Sequence, residues 1–191
     1  MITDFLLRHP IRVWVALGII AALCLGIGGW VLRHPQRGRR VAWAASGLAL
    51  LPILALTFMP VTRQLYAVCV VQFELPTSLR VGDVLANLVL FVPVAWFATL
   101  ASRRPLVMLV VGSLLSAAIE AVQAAIPAIG RSCDTNDWFN NTVGVAIGVS
   151  TAWAVAAWSW HQDRRRATVP VGVTPGPGAD GPGVQCGDPR P

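Results

Sequence analysis

Hydrophobic residues occur in five long runs, separated by short segments rich in arginine, proline and aspartate. Each run is close to the roughly 20 apolar residues that a helix needs to cross the hydrocarbon core of a bilayer. The runs are Val13–Leu32, Val41–Val61, Val84–Ala101, Leu106–Ile126 and Thr142–Trp160. This pattern predicts an all-α fold, a polytopic transmembrane bundle of about five helices.

The chain changes character after the last run. Residues 167–191 are rich in proline and glycine and show no hydrophobic period. Such a segment cannot bury enough apolar surface to offset the entropy lost on ordering. We therefore divide the chain into a transmembrane helical domain, residues 1–166, and a disordered tail, residues 167–191.

Composition and charge agree with a membrane protein. Hydrophobic residues make up 55% of the chain and charged residues only 13%, which is outside the usual range of soluble domains. The formal net charge of +6 comes from 15 basic residues, all of them arginine and most of them beside the hydrophobic runs. That placement indicates membrane topology rather than a nucleic-acid-binding surface, so we expect no nucleic-acid partner.

Arginines are unevenly divided between the two ends of the predicted bundle. Five lie at one end, and nine lie at the other: Arg33, Arg37, Arg39, Arg40, Arg103, Arg104, Arg164, Arg165 and Arg166. The positive-inside rule places the richer end in the cytoplasm, so the N-terminus is predicted outside and the C-terminus inside. Since arginine without lysine is typical of GC-rich bacterial genomes, we expect a multi-pass protein of a bacterial cell membrane.

Two of the four cysteines fall in loops that this topology places outside the cell. Cys69 follows the second run and Cys133 follows the fourth. Thiols on that side of the membrane can oxidise, which predicts a Cys69–Cys133 disulfide. Cys24 lies within a run and Cys186 in the tail, and neither has an evident partner.

Polar residues at the starts of two runs follow the same pattern. Asp83 and Asn87 are four residues apart, as are Asp137 and Asn141, so each pair lies on one helical face. A carboxylate at a helix start is explained by capping and by the helix dipole. Capping does not explain the two asparagines, which lie about 6 Å deeper.

The fourth run carries an acid within its apolar sequence. Ser116, Glu120 and Gln123 lie on one stripe, and Glu120 lies about 9 Å below the outer edge of the helix. A buried acid in hydrocarbon costs at least a few kcal/mol, so Glu120 should face other helices or a water-filled pocket. Arg131, in the following loop, is a candidate cation for Glu120, Asp134 or an anionic ligand. These polar groups form either a network that fixes helix packing or an outward-facing pocket.

In order along the chain, these residues resemble the VanZ-like family of integral membrane proteins. The resemblance covers residues 83–148 and rests on Asp83-x3-Asn87, Leu90-Phe91-Val92-Pro93, Ser116-x2-Ile119-Glu120-x2-Gln123 and Arg131-x2-Asp134-x2-Asp137-x3-Asn141-Thr142-x-Gly144-x3-Gly148. Trp138 and Asn140 depart from the usual pattern: the family usually has an aliphatic residue at position 138, and Asn140 adds a polar group. The resemblance implies these ligand-binding residues: Asp83, Asn87, Glu120, Gln123, Arg131, Asp134, Asp137 and Asn141. The namesake of the family is associated with resistance to the glycopeptide antibiotic teicoplanin, and the resemblance implies a role in teicoplanin resistance or a broader role in the cell envelope.

Three functions fit these residues. The first is a binding protein whose pocket engages a membrane lipid, a lipid-linked envelope precursor or a glycopeptide antibiotic. The second is a membrane-embedded enzyme with Glu120 as acid or base. The third is a small proton-coupled transporter with Glu120 as the relay, which would require a homo-oligomer.

The residues around the site favour binding over catalysis. The chain has neither a G-x-S-x-G nor an H-E-x-x-H motif, and its three histidines, His9, His34 and His161, lie on the flanks of the runs. We expect no cofactor, with a divalent cation at Asp134 and Asp137 as the one alternative.

Overall fold

Five α-helices account for most of the residues that the structure describes. The structure is a computed structural model that describes residues 10–58, 69, 71, 82–126, 130 and 133–167, without the side chains of residues 10, 12, 13, 82–84, 166 and 167. The helices are α1 (Pro10–Arg33), α2 (Pro35–Phe58), α3 (Gly82–Ser102), α4 (Pro105–Ala125) and α5 (Thr135–Ala167). All five are long and apolar enough to cross a membrane, which confirms the predicted fold class. The orientation of the bundle stays a prediction, and residues 168–191 of the predicted tail lie outside the described residues.

Several helices extend beyond the hydrophobic runs that predicted them. The second helix begins at Pro35 rather than Val41, because proline suits the first position of a helix. The fifth begins at Thr135 rather than Thr142, because Asp134 caps it. The prediction counted apolar residues only, whereas capped polar residues continue the helix. As a result, Asp137 and Asn141 both lie within α5.

Helix α3 lies at the centre of the bundle, with its most extensive contacts against α5 and further contacts against α2. Its second half is buried almost continuously, from Ala95 to Ala101. One core cluster surrounds Trp96 and Leu100, on the side of α1 and α2. Another joins Phe91 of α3 to helices α4 and α5. Burial from several sides explains why α3 shows no single apolar face.

The contact between α3 and α5 depends on two glycines in α5. A side-chain carbon at Gly144 would overlap the carbonyl oxygen of Leu88 in α3. A side-chain carbon at Gly148 would lie 2.5 Å from the carbonyl oxygen of Val92. Small residues spaced by four let two membrane helices approach closely. This close approach sets the register of α5 along α3, and so determines which polar residues meet.

Candidate functional site

Helix α4 packs against the bundle through a mainly polar face. Its buried residues are Ser116, Ile119, Glu120 and Gln123. By contrast, Leu106, Val110 and Leu114 of the same helix are exposed, as expected for side chains that face lipid. Hydrocarbon solvates apolar side chains well and polar ones poorly, so a membrane helix turns its polar stripe inward. The predicted stripe on the fourth helix is therefore part of the bundle interior.

Glu120 links α4 to the beginning of α5. Its side chain is only 6% exposed, and its Oε2 accepts a hydrogen bond from the backbone N–H of Asp134 at 3.0 Å. Asp134 in turn accepts the N–H of Asn136 at 2.8 Å through Oδ1, which is the geometry of an N-cap. Two carboxylates therefore lie at the N-terminus of α5, where the helix dipole favours negative charge.

Two further hydrogen bonds join the three helices. Asn87 of α3 donates through Nδ2 to Oδ1 of Asp137 at 2.5 Å. Asn141 of α5 donates through Nδ2 to Oγ of Ser116 in α4 at 2.9 Å. The asparagine of the first Asp-x3-Asn pair thus meets the aspartate of the second pair. We call the set formed by Asn87, Ser116, Glu120, Asp134, Asp137 and Asn141 the polar network.

Three residues that the sequence analysis did not assign to the site extend the contact between α4 and α5. Trp138 donates through Nε1 to the carbonyl oxygen of Ser113 at 3.2 Å. The hydroxyl groups of Ser113 and Thr142 lie 3.2 Å apart, and that of Thr142 donates to the Trp138 carbonyl at 2.8 Å. Trp138 and Thr142 are four residues apart, and Ser113 and Ser116 are three apart. These spacings place each pair on one helical face, and they could have been read from the sequence.

Asn140 is the most unusual polar residue in this region. Its side chain is 0% exposed, and among the described residues neither its Oδ1 nor its Nδ2 has a hydrogen-bond partner. The Oδ1 of the adjacent Asn141 is also buried without a partner. A buried polar group without a partner costs about 1–3 kcal/mol. Asn140 lies four residues before Gly144, so it continues the α5 face that packs on α3.

Three further residues belong to the predicted site: Gln123, Arg131 and Asp83. Gln123 is 6% exposed and lies on the buried face of α4. Arg131 lies outside the described residues, and so does the side chain of Asp83. The cavity beside Trp30 and the cavity beside Arg103 are both lined by residues outside the polar network. The outward-facing pocket therefore stays a prediction.

The described residues contain no group of three His, Cys, Asp or Glu side chains that could hold a metal ion. Asp134 and Asp137 engage backbone and amide donors in the contacts described above. A divalent cation at these two carboxylates stays a prediction.

A disulfide joins Cys69 to Cys133, next to the residue that caps α5. The Cα atoms of the two cysteines are 4.7 Å apart, within the usual range for a disulfide. The bond ties the segment after α2 to the segment that leads into α5. It therefore restrains Asp134, and through it the hydrogen bond to Glu120.

Reduction of this disulfide should destabilise the bundle. The two cysteines are 64 residues apart, and a crosslink closing a loop of that size stabilises a protein by up to about 4 kcal/mol. We expect a lower unfolding midpoint for the detergent-purified protein in reductant. Because one bond is lost in every case, Cys69→Ser, Cys133→Ser and the double substitution should be destabilised equally. An unfolding midpoint that does not respond to reductant would contradict this prediction.

Replacement of Glu120 should separate its hydrogen-bonding role from its charge. Glu120→Ala removes the acceptor for the Asp134 N–H and leaves a void, so we expect a loss of about 2–4 kcal/mol in the free energy of unfolding. Glu120→Gln keeps an oxygen acceptor of the same shape and should lose less than about 1 kcal/mol. Denaturant unfolding in detergent measures both values. Equal losses for the two variants would show that the acceptor is unimportant.

Five apolar helices, linked at one end by buried and half-buried carboxylates, amides and hydroxyls, define a polytopic helical membrane protein with a polar interior site. The model of the VanZ/LLP1 family matches residues 19–156, more than two thirds of the chain, and the chain belongs to this family. The match confirms the resemblance and extends it from α3–α5 to most of α1 and all of α2. Comparisons with curated proteins and with solved structures found no match.

Proposed function

We propose that the polar network, together with Asn140, binds the uncharged polar part of a lipid or a lipid-linked envelope precursor on the outer side of a bacterial cell membrane. The observation that carries this proposal is the fully buried Asn140 amide, whose two polar atoms have no partner among the described residues. A network that only fixed helix packing would gain stability from an apolar residue at this position. A ligand that supplies the missing hydrogen bonds would explain why an asparagine occupies this buried position.

The unpartnered atoms indicate the chemistry of the ligand. Asn140 offers one donor group and one acceptor, and Asn141 offers a further acceptor through Oδ1. Exchanging the nitrogen and oxygen of Asn140 would leave the same set. Hydroxyl and amide groups both donate and accept, so sugars and peptides match this set better than a phosphate does. The carboxylates of Glu120 and Asp137 also disfavour an anion at this position.

A glycopeptide antibiotic carries the same hydroxyl and amide groups as a glycosylated or peptide-bearing lipid precursor. Binding of either molecule at the polar network is therefore consistent with an effect on teicoplanin susceptibility. Arg131, three residues before Asp134 in the sequence, is expected to contact the phosphate that a lipid-linked precursor carries next to its sugar.

The role of Glu120 separates this proposal from its alternatives. Because its Oε2 accepts the Asp134 N–H at the start of α5, we assign Glu120 to positioning the site rather than to acid–base or proton-relay chemistry. Binding then needs the oxygen acceptor, which glutamine keeps. Catalysis or proton transport would need the titratable proton, which glutamine lacks.

The test is antibiotic susceptibility in a strain that lacks the gene. The strain would carry the wild type, Asn140→Leu, Arg131→Ala or Glu120→Gln at matched membrane abundance, and teicoplanin and vancomycin would be tested. We expect the wild type and Glu120→Gln to protect against teicoplanin, and Asn140→Leu and Arg131→Ala to give no protection. Loss of protection in Glu120→Gln alone would favour the enzyme or transporter. A wild type that does not protect would remove the antibiotic from the proposed ligands.

A further inference from the structure

A cavity of about 700 Å³ lies at the end of the bundle opposite the polar network. It lies between the α1–α2 connection and the α3–α4 connection. Its volume falls within the range of about 300–1,000 Å³ typical of sites for small ligands. The cavity belongs to no part of the function proposed above, because no residue of the polar network lines it.

The lining of this cavity combines basic and apolar side chains. Three arginines line it, Arg39 near the start of α2 and Arg103 with Arg104 between α3 and α4, and no acidic residue is among the lining residues. Trp43 lines it one helical turn after Arg39, about 6 Å further along α2. Val107 of α4 adds to the apolar wall. A phospholipid has the same order of chemistry, with an anionic phosphate followed by hydrocarbon.

The backbone at Arg103 supports a role for its side chain. Its φ is 56°, in the left-handed region that glycine and asparagine adopt most readily. Arg103 directly follows Ser102, the last residue of α3, and its N–H donates to the Thr99 carbonyl at 2.8 Å. Glycine is the usual residue at such a position. The backbone conformation alone therefore does not account for an arginine at this position.

We propose that this cavity binds an anionic phospholipid. Arg39, Arg103 and Arg104 contact the phosphate, since guanidinium groups pair with phosphate oxygens through two parallel hydrogen bonds. An acyl chain lies along Trp43 and Val107. Basic sites between membrane helices are a recognised mode of anionic lipid binding on the cytoplasmic side, which is where the arginine distribution predicts this end of the bundle to lie.

The test is a titration of the purified full-length protein with phosphatidylglycerol in zwitterionic detergent, followed by native mass spectrometry. Saturable binding of about one phosphatidylglycerol is expected at this site, with phosphatidylcholine and inorganic phosphate binding at least tenfold more weakly. Arg39→Gln and Arg104→Gln should each weaken the affinity about fivefold. Arg37→Gln is the matched control, because Arg37 is exposed in the same basic segment but does not line the cavity, and it should change the affinity less than twofold.

Arg103→Gly separates lipid binding from folding. Glycine suits a φ of 56°, so the variant should unfold at the same midpoint as the wild type or higher, while its affinity for phosphatidylglycerol falls about fivefold. An equal effect of Arg37→Gln and Arg39→Gln would overturn the proposal in favour of diffuse surface charge. If inorganic phosphate binds as tightly as phosphatidylglycerol, the cavity is a site for anions and not for a phospholipid, and the proposal is overturned. Asn140→Leu should leave the affinity for phosphatidylglycerol unchanged, because Asn140 does not line this cavity. The two proposals can therefore fail independently.

Discussion

Gly144→Ala should destabilise the protein by about 3 kcal/mol or more, enough to lower its folded abundance in the membrane. The added carbon would overlap the Leu88 carbonyl oxygen, which belongs to a helix backbone and cannot rotate away. Relief requires α3 and α5 to separate along the most extensive helix contact of the bundle. Separation would also pull Asn87 away from Asp137.

Gly18→Ala is the matched control for this prediction. A side-chain carbon at Gly18 of α1 meets nothing within 4 Å. Since alanine is the better helix former by about 1 kcal/mol, the control should be neutral or slightly stabilised. Unfolding midpoints in detergent and folded yield from the membrane measure both variants. Equal unfolding midpoints for the two variants would contradict the close approach of α5 to α3 at Gly144.

Asn140→Leu should raise stability while it removes function. Leucine repeats the branching of asparagine at Cγ, so it fills the site without a polar atom that lacks a partner. Removing a buried unsatisfied amide should raise the free energy of unfolding by roughly 1–3 kcal/mol in the absence of ligand. The same change removes the groups that we propose to bind the ligand. Natural proteins often accept lower stability at such sites in exchange for activity.

Asn141→Leu provides the contrast to this variant. Asn141 donates to Ser116, which is itself 0% exposed, so its loss leaves a buried hydroxyl without its donor. Because the change also removes the unpartnered Oδ1 of Asn141, which offsets part of this cost, we expect Asn141→Leu to lose about 1 kcal/mol, the opposite sign to Asn140→Leu. Thermal unfolding of the two purified variants without added lipid decides the comparison. If Asn140→Leu is destabilised as much as Asn141→Leu, the Asn140 amide has a structural partner.

Simple rules predict the helices and the inward face of α4 from the sequence. The length of each hydrophobic run predicts a membrane span. The cost of an acid in hydrocarbon predicts that Glu120 turns inward, and its 6% exposure agrees. These inferences work because the membrane imposes the same requirement on every residue at a given depth.

The pairing of polar residues could not be predicted in this way. Asn87 meets Asp137 only because Gly144 packs against the backbone at Leu88, and this register depends on the three-dimensional fit of two helices. The same limit applies to the adjacent amides at positions 140 and 141. Both are buried, but only the geometry shows that Asn141 reaches Ser116 while Asn140 reaches no described partner. The start of α5 was missed for a different reason, because a cap extends a helix into a polar segment.

The most direct test of the central claim is native mass spectrometry of three proteins, the wild type, Asn140→Leu and Glu120→Gln, each purified gently from the membrane of the native host. The proposal predicts a co-purifying molecule with a sugar or peptide group that accompanies the wild type and Glu120→Gln but is lost from Asn140→Leu. Anionic phospholipid bound at the basic cavity should accompany all three proteins equally. If the wild type and Asn140→Leu carry the same set of molecules, the polar network has no ligand and serves only to pack the helices.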